Sequence, residues 1–179
     1  MKEYIIKTPR LGLRNWLPSD VAPFVKMSQD EEVMKYFPKV LNEEESKGFI
    51  DRMQLHYKKH GFCYFAVDEL ATDTFIGFVG LLHQNFKSNY TPSVDIGWRL
   101  MKSVWGKGFA SEAAKSCLEY AFSELKLNEI YSFATVNNKA SEAIMKNIGM
   151  NYIDSFNHPY LTEYEDLKKC IVYTKNKFH

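Results

Sequence analysis

The sequence predicts an α/β domain folded around one mixed, mostly antiparallel sheet. Three observations carry that expectation. From residue 62 onward the hydrophobic pattern runs strands, helix, strand, helix, strands, switching between a two-residue repeat and a three-to-four-residue repeat. The segment FIGFVGLL at 75–82 is apolar almost throughout, as in a strand covered on both faces. The chain has 179 residues, which suits one domain spanning 1–179, because a core of that size buries roughly 70% of the surface of the unfolded chain.

Taken in order, a short strand at 11–14 is followed by Ser19 and Asp20, a helix start ahead of Val21, Phe24 and Val25. A second helix begins at Asn42, whose side chain can cap it while Glu45 completes a capping-box-like pair. Its apolar stripe is Phe49, Ile50, Met53 and Tyr57. Three β-rich runs follow at 62–67, 75–82 and 94–100, separated by polar segments as in an antiparallel meander. In the third run Val94, Ile96, Trp98 and Leu100 point one way, and Asp95, Gly97 and Arg99 the other. From 108 to 125 the apolar positions 110, 113, 114, 117, 118, 121, 122 and 125 form the stripe of an amphipathic helix. A strand at 131–136, a short helix at 140–148 ending at Gly149, and strands at 152–156 and 169–174 complete the set. The expectation is thus six to seven strands flanked by about four helices.

Composition narrows the function. Hydrophobic residues make up 45% of the chain, charged residues 25%, and the net charge is +1. That balance lacks the basic excess that binding to a phosphate backbone demands, so nucleic acid is not an expected partner. Cys63, Cys117 and Cys170 are too widely spaced for a metal motif or a disulfide framework and read as buried thiols of a reducing compartment. No apolar run approaches the roughly 20 residues needed to span a bilayer, and the opening MKEYIIKTPRL has no signal-peptide core. A cytoplasmic protein without membrane partners or a bound metal is expected.

The informative segment is DIGWRLMKSVWGKGFASEAA at 95–114, where a strand passes through a glycine-containing loop into the strongest helix. The first amides of such a helix have no intrahelical acceptor, and its dipole adds about half a positive charge there. Gly106 and Gly108 let the backbone approach a ligand closely, Lys107 adds a point charge, and a phosphate fits. The plainer alternative is a tight turn whose glycines serve only its dihedral angles. Spacing rules out the Gly-x-x-x-x-Gly-Lys-Ser/Thr loop, the Gly-x-Gly-x-x-Gly fingerprint and the Gly-x-Ser-x-Gly elbow.

The segment resembles motif A of the GNAT superfamily of N-acetyltransferases, Gln/Arg-x-x-Gly-x-Gly/Ala, with Trp105, Gly108 and Ala110 at the three marked positions. Trp105 departs from Gln/Arg in the manner of the ribosomal-protein N-terminal (alanine/serine) acetyltransferases and their relatives, whose loop commonly reads WGKGYATEA. The resemblance extends through TPRL at 8–11, EEVMKYFP at 31–38, FIGFVGL at 75–81, NKAS at 138–141 and IGM at 148–150. It implies a GNAT fold with acetyl-CoA as co-substrate in the cleft beside the fourth predicted strand. Backbone groups of Trp98, Arg99 and Leu100 would meet the pantetheine arm, Trp105 would open the pyrophosphate loop, and Gly106, Lys107, Gly108, Phe109, Ala110 and Ser111 would cradle the pyrophosphate. Asn138 matches the family asparagine that contacts the cofactor arm, and it reads equally as a helix N-cap.

Acetyl transfer from a thioester to an amine needs a neutral amine, a site for the developing oxyanion and a proton for the departing thiolate. The resemblance implies that a backbone N–H near Arg99 or Leu100 holds the carbonyl oxygen. Asp95 stands where relatives often carry a glutamate base; it is one methylene shorter, and a solvated or salt-bridged carboxylate is the competing reading. His158 and Glu163 are weaker base candidates. Met145 occupies the position of the tyrosine acid common in the superfamily, and Ser141, three residues after Asn138, matches a serine assigned that role in the N-terminal acetyltransferase branch. A first-turn residue bonding the helix backbone is the other reading of Ser141. Tyr36, Phe37 and the stretch 85–90 are expected walls of the acceptor pocket. The acceptor is a peptide N-terminus or a small amine, and a homodimer through the late strands is expected from relatives. A CoA-binding sensor without transferase activity and a transferase of longer acyl groups are the alternatives.

Overall fold

The structure, a computed structural model, describes residues 2–177. Eight strands form one sheet: β1 (Ile6–Lys7), β2 (Leu11–Arg14), β3 (Tyr64–Glu69), β4 (Thr74–Gln84), β5 (Ser93–Leu100), β6 (Glu129–Thr135), β7 (Asn151–Asn157) and β8 (Lys169–Asn176). The helices are α1 (Val21–Ser28), α2 (Glu31–Met34), α3 (Glu43–His60), α4 (Phe109–Ser123) and α5 (Lys139–Asn147). The strand order is β1-β2-β3-β4-β5-β6-β8-β7, and every neighbouring pair is antiparallel except β5 with β6.

The sheet therefore has one strand more than the sequence predicts, and the flank one helix more. Strand β1 is two residues long and leaves no periodicity to read; it exists because it pairs with β2, Ile6 opposite Leu13. Helix α2 has four residues and is held by Asp30, whose Oδ1 accepts from the amides of Glu32 and Val33. The Asn42 capping box of α3 forms as expected, with Asn42 Oδ1 accepting from the Glu45 amide at 2.8 Å and Glu45 Oε2 from the Asn42 amide at 3.0 Å.

Strand β4 is buried from Phe75 to Leu81, which accounts for its unbroken apolar run. Phe78 faces an aromatic cluster in which Trp16, Phe24 and Phe49 join α1 and α3 to the sheet. On the neighbouring strand Phe65 meets Tyr120 of α4, and α4 lies against β4 and β5 with Ala113, Ala114, Cys117, Leu118 and Ala121 buried. The small side chains of that stripe let the helix backbone sit close to the sheet.

A cluster of charged residues is built into this interior. Arg14 is 2% exposed and gives Nη1 and Nη2 to the two oxygens of Asp20, at 2.7 and 2.8 Å, and Nε and Nη2 to those of Asp68, at 2.7 and 2.8 Å. Burial works against the guanidinium charge, but the bonds to both carboxylates outweigh it and raise its pKa. Asp20 also accepts from the Leu17 amide at 2.7 Å, so the pair ties the turn leading into α1 to β2 and β3. Asp20 therefore anchors the start of α1 from inside the fold rather than capping it in solvent. Replacing Arg14 with Met strips two buried carboxylates of their guanidinium, leaving Asp20 with no cation among the described residues and Asp68 with only Lys2; chemical denaturation should show a loss of about 3–5 kcal/mol, near the upper end for a single substitution.

Candidate functional site

Strands β5 and β6 share one registered pair, Asp95 with Tyr131, and then diverge. Ser132 Oγ donates to the Ile96 carbonyl at 3.0 Å and closes the joint. Beyond it, Gly97 to Leu100 form one wall and Ser132 to Thr135 the other of a cavity of about 940 Å3. Helix α5 and its cap contribute Asn138, Ser141, Ile144 and Met145, and the segment after α2 contributes Tyr36 and Phe37. The start of α4 lies at the same opening, with Trp105, Gly106, Gly108, Phe109, Ala110 and Ser111 on its lining.

The α4 start has no side-chain cap, and its first internal bond is from the Glu112 amide to the Gly108 carbonyl. The amides of Phe109, Ala110 and Ser111 precede that bond and have no backbone acceptor among the described residues. Gly106 and Gly108 have φ of +76° and +77°, the left-handed region that glycine adopts without strain. A Cβ at Gly106 would meet nothing within 4 Å, so backbone conformation rather than crowding by protein atoms selects glycine there.

What holds this loop in place comes from the other end of the chain. Arg10 donates Nε to Glu112 Oε2 at 2.7 Å and Nη1 to the Lys107 carbonyl at 3.0 Å, while Thr8 Oγ1 donates to Glu112 Oε1 at 2.5 Å. Burial opposes ionisation of Glu112, and the bonds from Thr8 and Arg10 overcome it, holding the carboxyl below its usual value. The Arg10 guanidinium also covers the Phe109 ring at 4.6 Å. The segment 8–11 is thus a clamp on the loop, a role its sequence did not disclose. Trp105, 48% exposed, is pinned differently: its Nε1 donates to the Leu100 carbonyl at 2.9 Å.

Asp95 is neither solvated nor salt-bridged. It is 7% exposed, and Tyr64 Oη donates to its two oxygens at 2.8 and 2.9 Å, with Gln84 Nε2 donating in turn to Tyr64 Oη at 3.3 Å. Burial pushes the Asp95 pKa up to about 7, against the lowering effect of the Tyr64 bond. Burial and the Asp95 charge push Tyr64 well above its usual value, so the phenol stays protonated. The pair is possible because position 97 is glycine: a Cβ there would lie 3.0 Å from the Tyr64 ring atoms. Tyr64 looks like a core aromatic in the sequence; only the spatial opposition of β3 and β5 across β4 marks it as part of the site.

Arg99 lies on the same face as Asp95 and Gly97. Its guanidinium stacks on Phe37 at 4.0 Å and approaches Phe78 at 5.3 Å, and burial pulls its pKa down to about 10. Asn138 caps α5, its Oδ1 accepting from the Ser141 amide at 3.1 Å, and it also lines the cavity. Ser141 and Met145 line the cavity as well, as does the buried Thr135, whose Oγ1 has no hydrogen-bond partner among the described residues.

Three expectations about the surroundings change. The stretch 85–90 is not on the cavity lining: Phe86 is buried against Phe133, Phe156 and His158 because aromatic contacts draw it into the late strands. His158 lines the cavity, yet its Nδ1 accepts from the Tyr160 amide at 3.2 Å, the turn-shaping arrangement, and burial lowers its pKa. Glu163 is exposed and off the lining. The three cysteines are buried and free, as expected. Outside the cleft, His56, His60 and His83 bring one ring nitrogen each within 4.8 Å of one another, with His56 Nε2 and His83 Nδ1 at 3.1 Å.

A sequence profile described as Acetyltransferase (GNAT) domain matches residues 10–151. The uncharacterised N-acetyltransferase YnaD of Bacillus subtilis is 33% identical over 146 residues, covering 81% of each chain. Among solved structures, a GNAT-family acetyltransferase from Bacillus anthracis superposes with a TM-score of 0.80 at 25% identity, covering 97% of this chain and 99% of that one. A ribosomal L7/L12 α-N-protein acetyltransferase, RimL, solved with coenzyme A, shares the fold with a TM-score of 0.77 at 17% identity, over 97% and 98% of the two chains. The profile match spans most of the chain and includes the uncapped α4 start and the divergence of β5 from β6. This chain belongs to the GNAT family of N-acetyltransferases.

Proposed function

We propose that the protein transfers the acetyl group of acetyl-CoA directly to a primary amine, a peptide N-terminus or a small-molecule amine, within a ternary complex. The observation that carries the reading is the α4 start: uncapped amides behind two left-handed glycines, at the mouth of the only gap between strands in the sheet described. These groups fit a diphosphate, since the amides of Gly106 to Ser111 offer donors, the helix dipole offers positive potential and Lys107 adds charge. The partnerless edge of β5 along Trp98, Arg99 and Leu100 offers backbone groups to the pantetheine arm, and Asn138 faces it from α5.

When bound, acetyl-CoA supplies the activated thioester; the remaining work belongs to the chain. Asp95 accepts the amine proton: a carboxyl with a pKa near neutrality, lining the cavity, is poised for that transfer. Tyr64 holds the carboxylate in orientation through both oxygens, and its bond limits how far burial raises the pKa. A backbone N–H at Arg99 or Leu100 receives the developing oxyanion. Ser141 Oγ, with no hydrogen-bond partner among the described residues, gives a proton to the departing thiolate. Because that thiolate leaves readily, loss of Ser141 slows turnover without abolishing it.

A cytoplasmic setting accords with three buried free thiols, and a homodimer with the exposure of Tyr152 and Ile153 on the edge strand β7. Light scattering of the purified protein would show a dimer, and a monomer at all concentrations would remove that part.

Thiol release with acetyl-CoA and a panel of amines tests the main reading; binding of acetyl-CoA with silence toward every amine would favour a CoA sensor. Gly108→Val should weaken acetyl-CoA binding at least ~10-fold by calorimetry, through strain of about 1–2 kcal/mol at the left-handed position and obstruction of backbone approach. Unchanged affinity would mean the loop does not hold the diphosphate.

The pH dependence has two signs. For catalysis kcat/KM should rise as Asp95 ionises through about pH 7, and Asp95→Asn should lower it ~100-fold or more and remove that step. For stability, an acid whose pKa rises on folding binds its proton more tightly in the native state, so the native state weakens as pH rises from about 4 to about 7. Wild type should therefore lose about 1 kcal/mol per pH unit relative to Asp95→Asn across that window, in parallel denaturation series.

A further inference from the structure

Arg99 carries a positive charge that the protein does not answer. Its Nε and Nη1 are buried without a hydrogen-bond partner, and no carboxylate lies within ion-pair distance of it among the described residues. The contrast with Arg14 is instructive. That buried guanidinium has two carboxylates, whereas Arg99 has two aromatic rings, Phe37 and Phe78. Aromatic faces orient a guanidinium and offset part of its desolvation, but they leave its N–H groups unpaired.

The other charged groups on the cavity wall are Glu32, Lys35 and Asp95, and none touches Arg99. Asp95 lies four residues back along the strand, roughly 13 Å at about 3.3 Å per residue, and both of its oxygens accept from Tyr64. Glu32 and Lys35 are exposed, one of each sign, and neither is paired with Arg99. Arg99 points to the face that carries Asp95 and Tyr64, the face from which an amine would approach, and Trp98 and Leu100 alternate to the other.

We infer that the acceptor is a compact amine that also carries a carboxylate, and that Arg99 receives this carboxylate while the amine proton reaches Asp95 through water across the remaining distance. The planar fork of a guanidinium matches a carboxylate in two parallel hydrogen bonds, and a site stripped of water strengthens them. The fork sits between Phe37 and Phe78, with its Nε and Nη1 shielded from solvent. A small amino acid reaches it whole, whereas a peptide would have to bury a side-chain carboxylate there. This inference rests on the acetyl-transfer reading above.

The test uses the full-length protein with acetyl-CoA and matched acceptors: aliphatic and aromatic amino acids, each against its own carboxamide, with short peptides bearing an acidic or amidated residue as a separate arm. The acids should exceed their carboxamides by about 10- to 100-fold in kcat/KM, the range of a charge-assisted bond to a buried partner. Arg99→Gln should collapse that ratio toward one, and Arg99→Lys should restore part of it. Turnover with equal rates for acid and amide, or a ratio unchanged in Arg99→Gln, overturns the inference while leaving acetyl transfer intact. Preference for acidic peptides with no use of free amino acids overturns the compact acceptor.

Should no amine be acetylated, the transfer reading fails, and thermal shift of the CoA-saturated protein reads the subsite independently. Stabilisation by amino acids over their carboxamides that disappears in Arg99→Gln supports the carboxylate site; equal shifts overturn it.

Discussion

The parting of β5 from β6 is the constraint on which the rest of the molecule depends. Parallel neighbours in a sheet normally share many bonds, yet these two share one residue pair and one serine-to-carbonyl bond before they separate. Backbone groups cannot be left unpaired in a dry interior, so the gap has to be filled by something polar along its length. The walls are made accordingly: strand edges on two sides, an uncapped helix start at one end and a capped helix on the fourth side. A fold that closed this gap would gain a few sheet bonds and lose the cavity.

Around the gap the electrostatics are arranged by burial more than by ion pairs. Exposed pairs such as Lys47 with Glu43 are worth little, because water screens them and long side chains must be ordered. The buried groups differ from one another by what answers them. Arg14 is fully paired and stays charged; Asp95 has neutral hydrogen-bond donors but no cation and rises toward neutrality; Arg99 has only aromatic rings and falls. The three together show a core that tolerates charge where it is matched for structure, and keeps unmatched charge only on the cavity wall, where a ligand can match it.

Rigidity of the diphosphate loop is supplied from a distance. Loop 105–108 has two residues in the left-handed region and few bonds of its own, so it would be mobile if left alone. The strut from Thr8 and Arg10 to Glu112 and the Lys107 carbonyl joins it to the start of β2. Because β2 is in turn tied to β3 through Arg14 and Asp68, loop geometry is coupled to the stability of the sheet. Substitutions in β2 are thus expected to reach the loop through a short chain of packed and charged contacts rather than through the ligand.

The sequence by itself determined whatever is encoded within one helical turn or one strand: the apolar stripe of α4, the Asn42–Glu45 box, the alternation that puts Asp95 and Arg99 on one face, and the glycines that let α4 begin without a cap. It also determined most of the cavity's lining along 98–111 and at Asn138 and Ser141, since those residues are contiguous or sit at a helix start. Tertiary structure alone decided the partners. Tyr64 meets Asp95 across 31 positions, Arg14 meets Asp68 across 54 and Arg10 meets Glu112 across 102. It also created β1 through pairing, drew 85–90 away from the cavity and left Arg99 unanswered. Periodicity reports which way a side chain faces, whereas burial and pairing depend on which distant residue the sheet brings opposite it, and that information is in no local window of the chain.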